Sequence, residues 1–439
     1  MKILLIGSGG REHTLAWKLK QSLKCEALFI APGNAGTAQF GTNLDIAIND
    51  FERLAAASLE YAIDMIIVGP EEPLVKDITG FFKNNSATAH ILVIGPSGEA
   101  ARLEGSKSFA KSFMEKYNIP TAGYAKFTSE NYEEGITYIK NHSLPIVLKA
   151  DGLASGKGVL ICQSHLEALA EYELMILRSK FGEAGEKLII EEFLQGIEMS
   201  VFVLTDGKSF VLLPEAKDYK RVGEGDKGLN TGGMGAVSPV PFFTQALRKK
   251  ITQQIIEPTI KGLQAEKLDY KGFVFIGLII LNGEGKVIEY NCRLGDPETE
   301  VVIPRLKNDL VEMLIATAEE RVHEIIIEED TSAAVAVVAV SGGYPGNFEK
   351  NYIIYGLDDT ELPGSFIFHA GTKREGDNIL TNSGRVLVVS SLSDSITEAA
   401  EQSNYLLSQL DFEDMYYRSD IGYEFKSFNS KDSSSTNFE

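Results

Sequence analysis

Cysteine is scarce in this chain of 439 residues, tryptophan occurs once, and long apolar runs are missing. The three cysteines, Cys25, Cys162 and Cys292, are odd in number and show no C-x-x-C spacing. That excludes a disulfide framework and a zinc knuckle and favours a reducing compartment. No stretch approaches the roughly 18 consecutive apolar residues of a spanning helix, and the opening MKILLIGSGG breaks at Gly7, too soon for a signal-peptide core. A cytoplasmic protein without a membrane partner is expected. Positive charge is also short: 42 Lys and Arg face 62 Asp and Glu, a net charge of −20, which disfavours nucleic acid as a partner. Screening acts over about 8 Å at physiological salt, so a small phosphorylated substrate stays open to a local cluster of cations.

What is present has a globular balance, 44% apolar and 24% charged. At roughly 150 residues per domain the length suggests about three domains. In the first hundred residues the apolar runs Ile3 to Ile6, Ala27 to Ile30, Met65 to Val68 and Ile91 to Ile94 alternate with helical pattern, predicting a doubly wound parallel sheet. Each run ends in a Gly or Pro turn, at the strand ends where such sheets bind ligands. A helix from Ser106 to Tyr117 follows, then strand pairs such as Ile146 to Lys149 with Val159 to Cys162, predicting an antiparallel lid. A hairpin from Phe273 to Asn291 turns at Asn282-Gly283-Glu284-Gly285. Ala333 to Val340, Phe366 to His369 and Arg385 to Val389 predict a small α/β domain, and the polar tail from Lys426 suits disorder.

Six motifs carry chemistry. Gly7-Ser-Gly9-Gly10 resembles a dinucleotide fingerprint, but Glu12 stands at its third glycine and Ala-Pro-Gly-Asn follows the second strand where an acid should hold ribose. Either a phosphate at a helix N-terminus or a tight packing turn survives. Lys149-Ala-Asp-Gly-Leu-Ala-Ser-Gly156-Lys157-Gly158 is not a Walker loop, because Asp151 and Gly158 stand at two required positions and strands flank it. It fits a glycine flap over phosphates or an ordinary long hairpin loop. Ile189-Ile190-Glu191-Glu192-Phe193-Leu194 with Glu198 reads as an edge for adenine and ribose, or as a strand reaching solvent. In Glu289-Tyr-Asn291-Cys-Arg293, alternation puts Glu289, Asn291 and Arg293 on one face and Ile288, Tyr290 and Cys292 on the other. Two hard oxygen donors suit a sparsely held magnesium, and the guanidinium offers a fork for a carboxylate or acyl phosphate. The bland alternative is a solvated strand face with a salt bridge. Lys217-Asp218-Tyr-Lys220-Arg221 and Asn230-Thr-Gly-Gly233-Met234-Gly complete the cationic and glycine-rich set.

Together with APGNAGT, VGPEEPLV, LEGSK, EYNCRLGDPET, SGGYPG and HAGT, in that order, these motifs resemble the ATP-grasp superfamily, and within it the phosphoribosylamine–glycine ligases, from Met1 to about Phe425. The resemblance implies an N-terminal domain over 1–103, an ATP-grasp domain over 104–328 with its lid at about 122–194, and a C-terminal domain over 329–425. The implied reaction joins glycine to 5-phosphoribosylamine with ATP through a glycyl phosphate, in purine biosynthesis, by a monomer using Mg2+ or Mn2+. Matched position by position, Lys107, Lys149, Gly156, Lys157, Gly158, Arg221 and Asn230 would serve ATP. Glu191, Glu192, Phe193, Leu194 and Glu198 would hold its adenosine, and Glu289 and Asn291 the metal. Arg293 and Asp218 would take glycine, with Gly233 and Met234 nearby; Arg293, Lys157 and Asp218 are the expected catalytic groups. Gly9, Gly10, Asn34, Gly36 and Glu72 would meet phosphoribosylamine, with the C-terminal domain closing that side. Another ATP-grasp carboxylate–amine ligase and an NAD-dependent oxidoreductase are the alternative readings.

Overall fold

The four early apolar runs pair side by side as one parallel sheet. In the computed structural model, which describes residues 1–153, 158–177, 187–357 and 361–426, these strands are β1 (Lys2–Gly7), β2 (Ala27–Pro32), β4 (Met65–Val68) and β5 (Leu92–Pro96), with a short β3 (Thr42–Asn43) at the edge. Their order is β3-β2-β1-β4-β5, all parallel. Helices α1 (Gly10–Leu19), α2 (Phe51–Glu60), α3 (Glu71–Val75), α4 (Ile78–Asn84) and α5 (Gly98–Gly105) connect and flank them. Both faces are covered, so Leu4, Leu5, Ile6 and Ile66 are wholly buried, which explains why the strands read as unbroken apolar runs.

Helix α6 (Lys107–Lys116), capped by the Ser106 hydroxyl, leads into the lid. The lid comprises β6 (Tyr124–Thr128), α7 (Tyr132–Asn141), β7 (Ile146–Ala150), β8 (Val159–Cys162), α8 (His165–Ile176) and β9 (Lys187–Glu192), its antiparallel sheet ordered β6-β9-β7-β8. Phe127, Ile139, Leu148, Tyr172 and Ile190 form a core of its own. Gly156 and Lys157 of the flap, like the tail from 427, lie outside the described residues.

The chain continues through β10 (Ile197–Thr205), β11 (Phe210–Leu212), β12 (Lys217–Asp218), β13 (Arg221–Gly223), β14 (Lys227–Asn230), β15 (Gly235–Ser238), α9 (Gln245–Ile251), α10 (Glu257–Ala265), β16 (Tyr270–Leu281) and β17 (Glu284–Asn291). Strand β16 is the seam of the molecule: Tyr270 and Lys271 pair antiparallel with β5, while the rest pairs with β10 and β17. The β16–β17 turn is Asn282-Gly283, with φ of 52° and 73°, a two-residue hairpin loop needing left-handed backbone at both positions. One expectation fails on this hairpin. Glu289 pairs with Gly277 and Val287 with Leu278, which leaves Ile288 as an unpaired extra residue. This bulge interrupts the alternation, so Val287, Tyr290 and Cys292 enter the core while Ile288 borders the cleft beside Glu289.

After α11 (Thr299–Arg305) and α12 (Leu310–Ala318) come β18 (Ala333–Val340), β19 (Ser365–His369), β20 (Thr372–Glu375), β21 (Asn378–Thr381), β22 (Arg385–Ser393) and α13 (Ile396–Leu407). The C-terminal sheet runs β12-β15-β18-β22-β19 and its pairs are antiparallel. It borrows β12 and β15 from the middle of the chain, which ties Asp218 to the C-terminal body.

Candidate active site

Strand β17 brings Glu289 to a cleft shared with Glu198, Asp218 and Lys220. Burial works to raise the Glu289 carboxyl, but Lys220, Lys149, Lys107 and Arg293 outweigh it, and its pKa is lowered. Among the described residues Glu289 has no hydrogen bond, and the buried Nδ2 of Asn291 has no partner. The ionised Glu289 carboxylate and the Asn291 carboxamide oxygen fit a divalent ion, while the surrounding cations and the unpartnered Nδ2 donor fit phosphate oxygens.

The lysines are held from behind. Glu191 lies 2.9 Å from Lys149 Nζ and 3.2 Å from Lys111 Nζ, all three nearly inaccessible. Burial lowers Lys111 to about 8 despite Glu191. The Glu191 side chain is therefore engaged in placing two lysines. Lys111 was missed, although a lysine between Ala110 and Phe113 on the buried face of α6 was a readable signal. Lys107 donates to the Gly152 carbonyl at 3.0 Å, and burial lowers its pKa while Glu289 opposes this. Glu192 accepts from Gly123 N–H at 3.0 Å and from Lys286, fastening β9 to the lid entrance. Phe193 stands half-exposed next to partly buried Leu194. Gly158 is buried at the start of β8. Glu198 pairs with Lys220 at 2.7 Å, and Arg221 and Asn230 face each other across the β13–β14 ladder.

Arg293 is anchored rather than free. Its Nε donates to Glu71 at 3.2 Å, Nη1 to the Leu294 carbonyl, and Nη2 lies 3.1 Å from Glu104. With five N–H groups, the fork retains donors for a ligand. Burial raises the Asp218 carboxyl, against the pull of Lys220, with Glu198 adding to the rise. The Met234 side chain is wholly buried in the core with Leu294 and Ala336, so that residue offers only backbone, and Gly233 packs on Pro297.

Asp296, three residues beyond Arg293, lines a cavity of about 570 Å³, walled also by Gly9 and Asn34 of the N-terminal domain and by Tyr344, Lys373, Arg374 and Arg385. Among the described residues no carboxylate lies within ion-pair distance of Arg374. At the glycine turn, Gly9 lines this cavity and its N–H donates at 2.6 Å to Glu12, whose carboxylate caps α1. Asn34 is fully used within the protein: its Nδ2 donates to Ser8 and His369 carbonyls and its Oδ1 accepts from Gly36 and Thr37 N–H groups. Gly10, Gly36 and Glu72 do not line the cavity; Gly10 packs over Glu300, Gly36 over His13, and Glu72 pairs with Lys76 at 2.7 Å. The cations that do line it, Lys373, Arg374 and Arg385, were missed. Lys373 and Arg374 directly follow the HAGT motif, which was the available signal.

Comparison with known proteins matches this layout. Family models for phosphoribosylglycinamide synthetase fit as the N domain over 1–104, the ATP-grasp (A) domain over 105–299 and the C domain over 334–424. Phosphoribosylamine–glycine ligases of Vibrio vulnificus and Escherichia coli K12 are each 44% identical, over 96% of this chain and 98% of their own. The crystal structure of the Thermotoga maritima phosphoribosylamine–glycine ligase superposes with a TM-score of 0.81 at 34% identity, covering 96% of this chain and 100% of its own. A biotin carboxylase domain from Hydrogenobacter thermophilus, solved with MgADP, shares the fold at a TM-score of 0.71 and 16% identity, covering 94% of this chain and 91% of its own. With all three of its domains matched in order, the chain belongs to the phosphoribosylglycinamide synthetase family.

Proposed function

We propose that this protein ligates glycine to 5-phosphoribosylamine at the expense of ATP, giving glycinamide ribonucleotide, ADP and phosphate, a step of purine biosynthesis. The observation that carries the reading is that one loop carries both Arg293, whose charge acts on Glu289 in an acidic cleft, and Asp296, which lines a cationic cavity. A nucleotide and an amino acid suit the first, and a phosphorylated sugar amine suits the second.

Glycine's carboxylate is a poor electrophile, so we assign a glycyl phosphate intermediate. Lys107, Lys149 and Lys220, with the flap over Gly156, Lys157 and Gly158, neutralise the phosphates. Glu289 and Asn291 would hold Mg2+ or Mn2+, which would supply charge neutralisation at the transferring phosphate. Arg293, braced by Glu71 and Glu104, takes the glycine carboxylate, and Asp218 its ammonium. Phe193, Leu194 and Glu198 meet the adenosine, together with Arg221 and Asn230. Lys373, Arg374 and Arg385 hold the sugar phosphate. Closure of the lid excludes water, which would otherwise hydrolyse the acyl phosphate. Three buried cysteines that form no disulfide suit the reducing cytoplasm.

The test uses glycine labelled with heavy oxygen in its carboxylate. ADP release should require both glycine and freshly made phosphoribosylamine, and one label should appear in the released phosphate. Label confined to product and free glycine would overturn the acyl-phosphate route.

A further inference from the structure

Forming the amide from an amine releases a proton, and none of the groups assigned above accepts it. Of the described residues lining the cavity, Asp296 is the sole carboxylate, and no histidine lines it. Lys373, Arg374 and Arg385 are cations there and accept no proton. Asp296 lines the cavity on the loop that also carries Arg293.

The surroundings of Asp296 are built for it. A Cβ on Gly9 would lie 2.9 Å from Asp296 Oδ2, and one on Gly10 would lie 2.4 Å from Oε1 of Glu300, so the glycine pair leaves room for two carboxyl groups. Arg385 donates to the Asp296 carbonyl at 2.7 Å and brings Nη2 to 3.0 Å from Oδ1. That contact is not aligned as a hydrogen bond, and buried Oδ1 has no hydrogen-bond partner. Glu300, wholly buried behind it, has neither side-chain oxygen partnered. Burial, reinforced by the neighbouring Asp296 charge and opposed by Arg385 and Arg11, raises the Glu300 carboxyl well above its usual range.

Resting on the reaction proposed above, we propose that the Asp296 carboxylate receives the amino group of phosphoribosylamine and takes its proton as the amide forms. The nitrogen lone pair attacks the acyl carbon and the C–N bond forms. The bond from that carbon to the phosphate oxygen breaks with its electron pair, phosphate leaves, and the N–H proton passes to an Asp296 oxygen. Activation of glycine by ATP does not use this group.

Rapid-quench single turnovers of the full chain with ATP, glycine and phosphoribosylamine separate the two steps. In Asp296→Asn, ADP formation is expected to keep its wild-type rate while amide formation slows about 100-fold, the scale of a lost general base. Both steps unchanged, or both slowed together, would overturn the assignment. Should that variant fail to fold, Asp296→Ser is read by the same two rates. A wild-type protein that forms no ADP dependent on both substrates would instead refute the reaction itself.

Discussion

At the scale of single residues, charge is spent where phosphates and carboxylates must meet. Glu289 stays ionised only because four cations surround it against the cost of burial. Glu289→Ala leaves those cations without their acid, and kcat is expected to fall at least about 100-fold, with the melting temperature changed little. A variant with near-normal turnover would remove Glu289 from the site. The histidines of the GREH and HAGT motifs do different work. His13 Nδ1 accepts the His369 backbone N–H at 2.6 Å, joining the N- and C-terminal domains beside the cavity. Burial lowers His369 to about 4, with Arg374 adding to it, and lowers His13 well below its usual value, with His369 adding to it. The unfolded chain, with histidine near 6.5, binds the extra proton between those values while the folded chain does not. Stability is therefore present above pH 6.5 and lost as pH falls toward 4, by roughly 3 kcal/mol for a shift of that size in His369. Thermal melts from pH 7 to 4 should show a shallower loss in His369→Gln than in wild type; parallel losses would exclude the pair as the cause.

At the scale of elements, the lid is an independently packed unit on a polar hinge. Asp151 at the end of β7 accepts from Ser108 N–H at 2.9 Å and from the Ser108 hydroxyl at 2.7 Å, fastening the flap's root to the first turn of α6. That is the reason for aspartate where a Walker loop would have glycine. Within the lid, α7 crosses α8 so closely that a Cβ on Gly135 would lie 1.9 Å from the Tyr172 hydroxyl. Alanine normally favours a helix over glycine by about 1 kcal/mol, but here it would displace Tyr172 from the lid core. Gly135→Ala is expected to raise amide exchange across residues 124–150 and to raise KM for ATP several-fold, leaving exchange in the N-terminal sheet unchanged. Uniform protection would show that the helices separate without cost.

At the scale of the whole molecule, the last described residues return to the middle of the chain. Arg418, wholly buried, donates to Asp420 at 2.8 and 2.9 Å, to Asp226 at 2.7 Å and to the Arg221 carbonyl, while Tyr416 donates to the Val222 carbonyl. This strap clasps the β13–β14 hairpin that carries Arg221 and Asn230. Arg418→Ala strands Asp420, and breaking such a buried pair costs about 3 kcal/mol. A lowered melting temperature with a raised KM for ATP is expected; an unchanged KM would separate the strap from nucleotide binding.

The strands of the N-terminal sheet, the Asn282-Gly283 turn and the helix at Lys107 were legible because each depends on local pattern: continuous burial, obligatory backbone geometry, or helical spacing. Ile288 was misplaced because a bulge depends on the register of the partner strand, which the segment itself does not encode. Glu191 turned toward two lysines, Glu71 and Glu104 bracing Arg293, and Lys373, Arg374 and Asp296 meeting around one cavity were settled only by tertiary structure. They come together from positions tens to hundreds of residues apart, and a lone charged side chain looks the same in sequence whether it faces water, a partner or a ligand. Which charge balances which is a property of the folded distances.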